Sequence, residues 1–184
     1  MHKVFVSGSM RIKNINPEVL KRIDNIINSK YQVLVGDADG VDSSIQSYLL
    51  QNKVSSVSVY CAGSQPRNNL GHWSTKNVQT NHSPGTRAFF TAKDLVMAED
   101  CDYGLMIWDA KSTGTLSNTL ELLKRKKSSL VFVNKEKLFV KVKEVEDLKL
   151  LVSHMSESAL VKADKKIGLL SLIEAYKNEQ SSLF

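Results

Sequence analysis

The chain has 184 residues, 42% of them hydrophobic and 24% charged, with a net charge of +6. That is enough chain to bury a full core without disulfides or metals, and no apolar run approaches the roughly 20 residues that span a bilayer. The opening MHKVFVSGSM has no apolar signal stretch and the two cysteines, Cys61 and Cys101, form no CxxC, so a reduced, cytoplasmic protein is expected.

The elements alternate. VFVSGS (4–9) reads as a strand closing in a glycine turn, and Pro17 opens a helix to about Asn28 with Val19, Leu20, Ile23, Ile26 and Ile27 on one face. QVLVGDADG (32–40) repeats the plan, followed by a helix carrying Val41, Ile45, Tyr48 and Leu49, and then the strand VSVYC (57–61). Residues 62–85 break the rhythm and read as one long irregular loop, a kind of segment that is usually functional. Thr86 is placed to cap a helix running to about Asp100. YGLMIWDA (103–110) is a strand, 115–126 a helix, SLVFV (129–133) a strand, and KLFVKV (137–142) an antiparallel partner, because NKEK is too short for a crossover. EVEDLKLLVSHM is helical, and 157–179 reads as one or two helices with Ile167, Leu170, Ile173 and Tyr176 apolar.

This order predicts an α/β, Rossmann-like three-layer fold with a mostly parallel sheet, a C-terminal antiparallel strand and helices. The expected organisation is a single domain over 1–184, with 143–184 as a helical extension that packs on its own domain or forms a dimer surface. Ligands of such sheets sit beyond the carboxyl ends of the strands, where the glycine turns after the first, second and fourth predicted strands all fall.

Three turns carry the chemistry. In SGS, Ser7, Gly8 and Ser9 follow the first strand; in GDADGVD, Gly36, Asp37, Gly40 and Asp42 follow the second. Neither is a GxGxxG fingerprint or a Walker loop, and glycine after a strand often only makes a turn. Without side chains, however, Gly8, Gly36 and Gly40 could bring backbone N–H groups to an anion. Asp42 either caps its helix or orients a ribose hydroxyl. In STGT, Ser112, Thr113, Gly114 and Thr115 supply hydroxyls and amides for a phosphate, or form a polar helix cap. Lys93 and Asp94 read either as a surface pair or as groups facing the pocket, with Lys93 neutralising phosphate and Arg87 as a second anion-binding residue. Trp73 is a candidate for stacking on a base, whereas Trp108 is expected in the core. His72, His82 and His154 show no ligand spacing, so no metal is expected, and no cofactor. The run Lys124-Arg125-Lys126-Lys127 complements a helix C-terminus and has no interleaved aromatics, so nucleic acid is not an expected partner.

Taken in order, VSGS, GDADGVD, KDLVM followed by CDYGLMIWD, and STGT resemble the SLOG superfamily, the Rossmann-like group that includes LOG phosphoribohydrolases and DprA-like proteins. The likeness is greatest to its small bacterial YspA-like branch. It covers about residues 3–134 and leaves the tail unexplained. It implies a nucleotide or nucleotide-derived ligand at the strand edge, and a homodimer. LOG enzymes carry G-G-x-G-T-x-x-E, in which the Glu works on the ribose during N-glycosidic cleavage. Here the run is Gly114-Thr115-Leu116-Ser117-Asn118, the family's Arg is matched by Lys93, and its first glycine pair by Lys111-Ser112. An amide at Asn118 cannot take a proton at neutral pH or carry the negative charge that an oxocarbenium-like transition state calls for. Glu121, one turn on, and Asp94 or Asp109 are the carboxylates in reserve. The expectation is therefore a nucleotide-binding sensor or module; the alternative is a nucleotide N-glycosidase using Glu121 or Asp94.

Overall fold

The computed structural model describes residues 1–181. Its strands are β1 (Lys3–Gly8), β2 (Gln32–Gly36), β3 (Val57–Ala62), β4 (Ser74–Val78), β5 (Tyr103–Trp108), β6 (Ser129–Val133) and β7 (Leu138–Val142). They form one sheet in the order β4-β3-β2-β1-β5-β6-β7. All neighbours are parallel except β6 and β7, which pair antiparallel with Ser129 opposite Val142. The helices are α1 (Pro17–Asn28), α2 (Val41–Gln51), α3 (Arg87–Asp100), α4 (Thr113–Lys124), α5 (Val145–Val152), α6 (Glu157–Ile167) and α7 (Leu169–Ser181).

Local chemistry sets the helix starts. Asn16 accepts the Glu18 N–H ahead of Pro17, and Thr86 accepts the Phe89 N–H at the head of α3. The central strands are buried on both faces, so their side chains feed two cores. Val4, Val6, Val33, Val35, Val41, Ile45 and Ile23 form one, beneath α1 and α2. Phe5, Leu34, Met97, Trp108, Leu116 and Leu122 belong to the other, beneath α3 and α4. The result is the three-layer Rossmann-like arrangement expected from the alternation, with Trp108 fully buried.

The C-terminal helices continue the second core, to which Leu148, Leu151, Ala163, Leu169 and Ile173 contribute. The segment expected as one or two helices is two, because Gly168 adopts a left-handed conformation (φ 63°) and its N–H closes α6 on the Asp164 carbonyl. The break also shifts the apolar register: Leu169 is buried, while Leu170, expected on the apolar face, is 49% exposed.

Residues 62–85 differ from the sequence reading. They are not irregular throughout, because Ser74–Val78 pairs parallel with β3, Ser58 lying opposite Ser74. Only Val78 of this strand is buried, so STKNV has no alternation for a sequence reader to find. Backbone pairing and polar side-chain bonds hold it: Lys76 Nζ and Tyr60 OH both donate to Asp100 Oδ2, each at 2.6 Å, Asn69 Nδ2 donates to Thr75 Oγ1 at 3.1 Å, and Asn77 Nδ2 donates to the Gly63 carbonyl at 3.0 Å.

Candidate functional site

The strand order reverses between β1 and β5, since β1 continues to β2 on one side and β5 to β6 on the other. The carboxyl ends of these two strands define the crevice where a doubly wound sheet takes a ligand. Asp109, just past β5, organises it. Its Oδ1 accepts the Lys111 and Ser112 N–H groups at 3.0 and 2.6 Å, and its Oδ2 accepts Ser9 Oγ at 2.9 Å. Ser9 Oγ in turn accepts the Arg11 N–H at 3.2 Å. One carboxylate therefore ties the loop after β1 to the turn that opens α4.

Ser112 caps α4, accepting the Thr115 N–H and the Thr115 hydroxyl on its Oγ. Amides in the first turn of a helix have no intrahelical acceptor and carry the positive end of the macrodipole. Gly114 stands in that turn, and a Cβ built on it would meet nothing nearer than Ser112 Oγ at 3.9 Å. Arg87 reaches the same turn from α3, donating to Thr113 Oγ1 at 3.1 Å. Arg87, Arg11 and Lys111 are all exposed.

The other predicted glycines are closed by the protein itself. A Cβ on Gly8 would stand 2.3 Å from the Ile107 carbonyl and 2.7 Å from Val41 Cγ2. The neighbouring amides are also engaged, Ser9 N–H with Ile107 O and Val41 N–H with Ser9 O. Gly40 (φ 77°) lies against the Met10 backbone, 2.4 Å from its would-be Cβ. Ser7, at the end of β1, accepts the Asn118 side-chain N–H at 3.2 Å in a buried contact that binds α4 to the strand.

At Gly36 the missing side chain makes room for charge. Its Cβ position lies 2.3 Å from Asp42 Oδ2 and 2.8 Å from Lys93 Nζ. Lys93 is 4% exposed and donates to Asp94 Oδ1 at 2.7 Å. Burial works against its charge, but Asp94 and Asp42 outweigh that and hold its pKa above the usual lysine range. Burial pushes the Asp42 carboxyl up to about 7, against the pull of Lys93. Asp37 also feels burial, yet bonds from Arg67 and the charge of Lys93 hold it below the usual carboxylate range.

Arg67 is the functional-looking residue that the sequence reading missed. From the loop between β3 and β4 its guanidinium grips both oxygens of Asp37, at 3.0 and 2.8 Å, and its backbone N–H adds a third bond. The guanidinium also lies 4.4 Å from the centre of the Phe90 ring. The available signal was a cation in a long loop whose anionic counterpart, GDADG, stood elsewhere in the chain.

Trp73 does not join this group. It immediately precedes β4 and donates its indole N–H to the Val54 carbonyl at 2.8 Å, at the opposite rim, where the strands begin. There it lines a surface hollow of about 590 Å³ with Leu50, Lys53 and Val57. The charged and hydroxyl groups converge instead at the carboxyl rim, which has the better claim chemically. Glu121 pairs with Arg125, one turn further along α4 and away from the glycine turn. Among the described residues no three His, Cys, Asp or Glu side chains cluster so as to hold a metal ion, and no helix is long and apolar enough to cross a membrane. Set against known protein families, curated proteins and solved structures, the chain matches none.

Proposed function

We propose that the chain binds a nucleotide or nucleotide-derived anion at the carboxyl rim of its sheet, as a sensor or binding module of the SLOG kind. The observation that carries this reading is the open first turn of α4: Gly114 presents a free face, with the Arg87 guanidinium on Thr113 beside it. A phosphate there would meet unpaired amides, hydroxyls and a cation. Phe89 and Phe90, half-buried in the first turn of α3, offer apolar surface for a base.

Binding is favoured over N-glycosidic cleavage because the nearby carboxylates are engaged. Asp94 holds Lys93, Glu121 holds Arg125, and Asp109 spends both oxygens on the loops. Asn118 directs its amide to Ser7. Titration calorimetry with AMP, ADP-ribose, NAD and cyclic AMP tests the reading, with saturable heat expected from at least one of them. No heat and no thermal stabilisation from any of the four would refute it.

A further inference from the structure

The sheet ends on one side at β7, whose single neighbour is β6. In an antiparallel pair, alternate residues of each strand turn their N–H and C=O groups to the partner and the rest turn away. Among the described residues, the outward groups of Leu138–Val142 meet no donor or acceptor. The segment itself, LFVKV, is made of good strand formers. Val140 and Val142 are buried in the core beneath α4 and α5. Phe139 faces the other way, its ring centre 4.9 Å from that of Phe132 and 5.3 Å from the Arg22 guanidinium of α1.

Cations line this margin. Lys135, Lys137, Lys141 and Lys143 fall at odd positions like Phe139, so Lys141 shares its face and Lys143 follows in the same alternation. All four lysines and Arg22 are exposed, and none of the five forms an ion pair among the described residues. The nearby carboxylates are taken. Glu136 meets His154, Glu18 holds Lys21, and Glu144 and Asp147 form the capping box of α5. Lysine at a sheet margin deters self-pairing. A second copy added antiparallel along β7 would set these lysines against their own kind, whereas an acidic strand would meet them with opposite charge.

We propose that β7 is a docking edge for an extended acidic segment of another protein, which adds to the sheet as an eighth strand. Its carboxylates fall at every second position, on the face that Phe139, Lys141 and Arg22 share. The intervening side chains lie on the face of Val140 and Val142. Main-chain bonds to the open side of β7 supply affinity, and the alternation of charge selects the partner and its register. The unpaired lysines draw the segment in and make its binding sensitive to salt. The inference stands apart from whichever ligand the carboxyl rim takes.

The test titrates the full chain with an acetylated, amidated octapeptide of alternating Glu and Val, and with its counterpart of alternating Lys and Val. The acidic peptide should bind at least about tenfold more tightly than the basic one. In its complex, amide hydrogen exchange should slow across residues 138–142 and stay unchanged across 74–78. The double variant Lys137→Glu/Lys141→Glu should lose about tenfold in affinity for the acidic peptide. No binding of that peptide, equal affinity for the two, or binding without slower exchange at 138–142 would overturn the proposal. So would tighter binding of a thymidine octanucleotide at 138–142, which would assign the lysines to nucleic acid instead. Should the double variant fail to fold, a salt series on the wild type decides. Affinity for the acidic peptide that drops about tenfold between about 50 and about 500 mM salt supports the docking edge, and salt-independent binding sinks it.

Discussion

The turn that ends β2 and the turn that opens α4 both present glycine at the same rim, yet they use it in opposite ways. At Gly36 and Gly40 the space a side chain would fill is taken by Asp42, Lys93 and the Met10 backbone. At Gly114 that space is open. A glycine pressed on by its own protein is fixed by folding, and one facing empty space is free to serve a ligand. Substitutions can tell the two apart, because the first kind should cost stability and the second should cost binding.

The sharpest contrast is between Gly40→Ala and Gly114→Ala. The former forces a Cβ into a positive-φ residue and against the Met10 backbone, which should lower unfolding stability by about 3 kcal/mol or more in urea titrations. A loss below about 1 kcal/mol would mean that the turn can relax and that the contrast is false.

The next effect is the pH dependence of stability at the β2 end. Asp42 binds its proton more tightly folded than unfolded, where its value is 3.8. Its contribution is thus complete below about pH 4 and is lost as the pH rises through about 7, a change on the order of a few kcal/mol. Asp37, held low mainly by Arg67, works with the opposite sign, losing its contribution as the pH falls below the usual carboxylate range. Comparing wild type with Asp42→Asn from pH 4 to 8 isolates the Asp42 contribution. Parallel stability curves for the two proteins would show that Asp42 is ionised throughout.

On the α4 side, Arg87→Ala should weaken the affinity of whichever nucleotide binds by about tenfold. Arg87 is exposed, so the unfolding midpoint should hardly move. Unchanged affinity would remove Arg87 from the site. The smallest effect belongs to Gly114→Ala, where the added methyl meets no atom within van der Waals contact except near Ser112. It should raise the stability of the free protein by about 0.5 kcal/mol through helix propensity while reducing nucleotide affinity. If stability falls instead, the openness of this turn is lost in solution.

Much of this architecture was readable before any coordinates. Strands such as VFV and LMIW, buried on both faces, announced a covered parallel sheet, and Pro17 and Thr86 marked their helix starts through backbone chemistry that acts locally. What escaped depended on distant partners. β4 is a strand because β3 lies beside it, not because STKNV favours one. Arg67 matters only once the chain returns it to Asp37, 30 residues earlier in sequence. Trp73 looked available for a base because aromatic residues in long loops often are, but its position beside Val54 depends on β4. Lys93 and Asp94 read either as a surface pair or as groups facing the pocket, and nothing local indicated that the bare end of β2 would receive the lysine.

β4 has one more consequence. It forms an outer margin of the sheet, where unpaired backbone groups invite another chain to dock by strand addition. Its polar composition, with Lys76 and Asn77 exposed, makes that margin a poor template for further strands. The same lack of hydrophobic pattern that hid this segment from a sequence reader thus guards the molecule against self-assembly into fibrils.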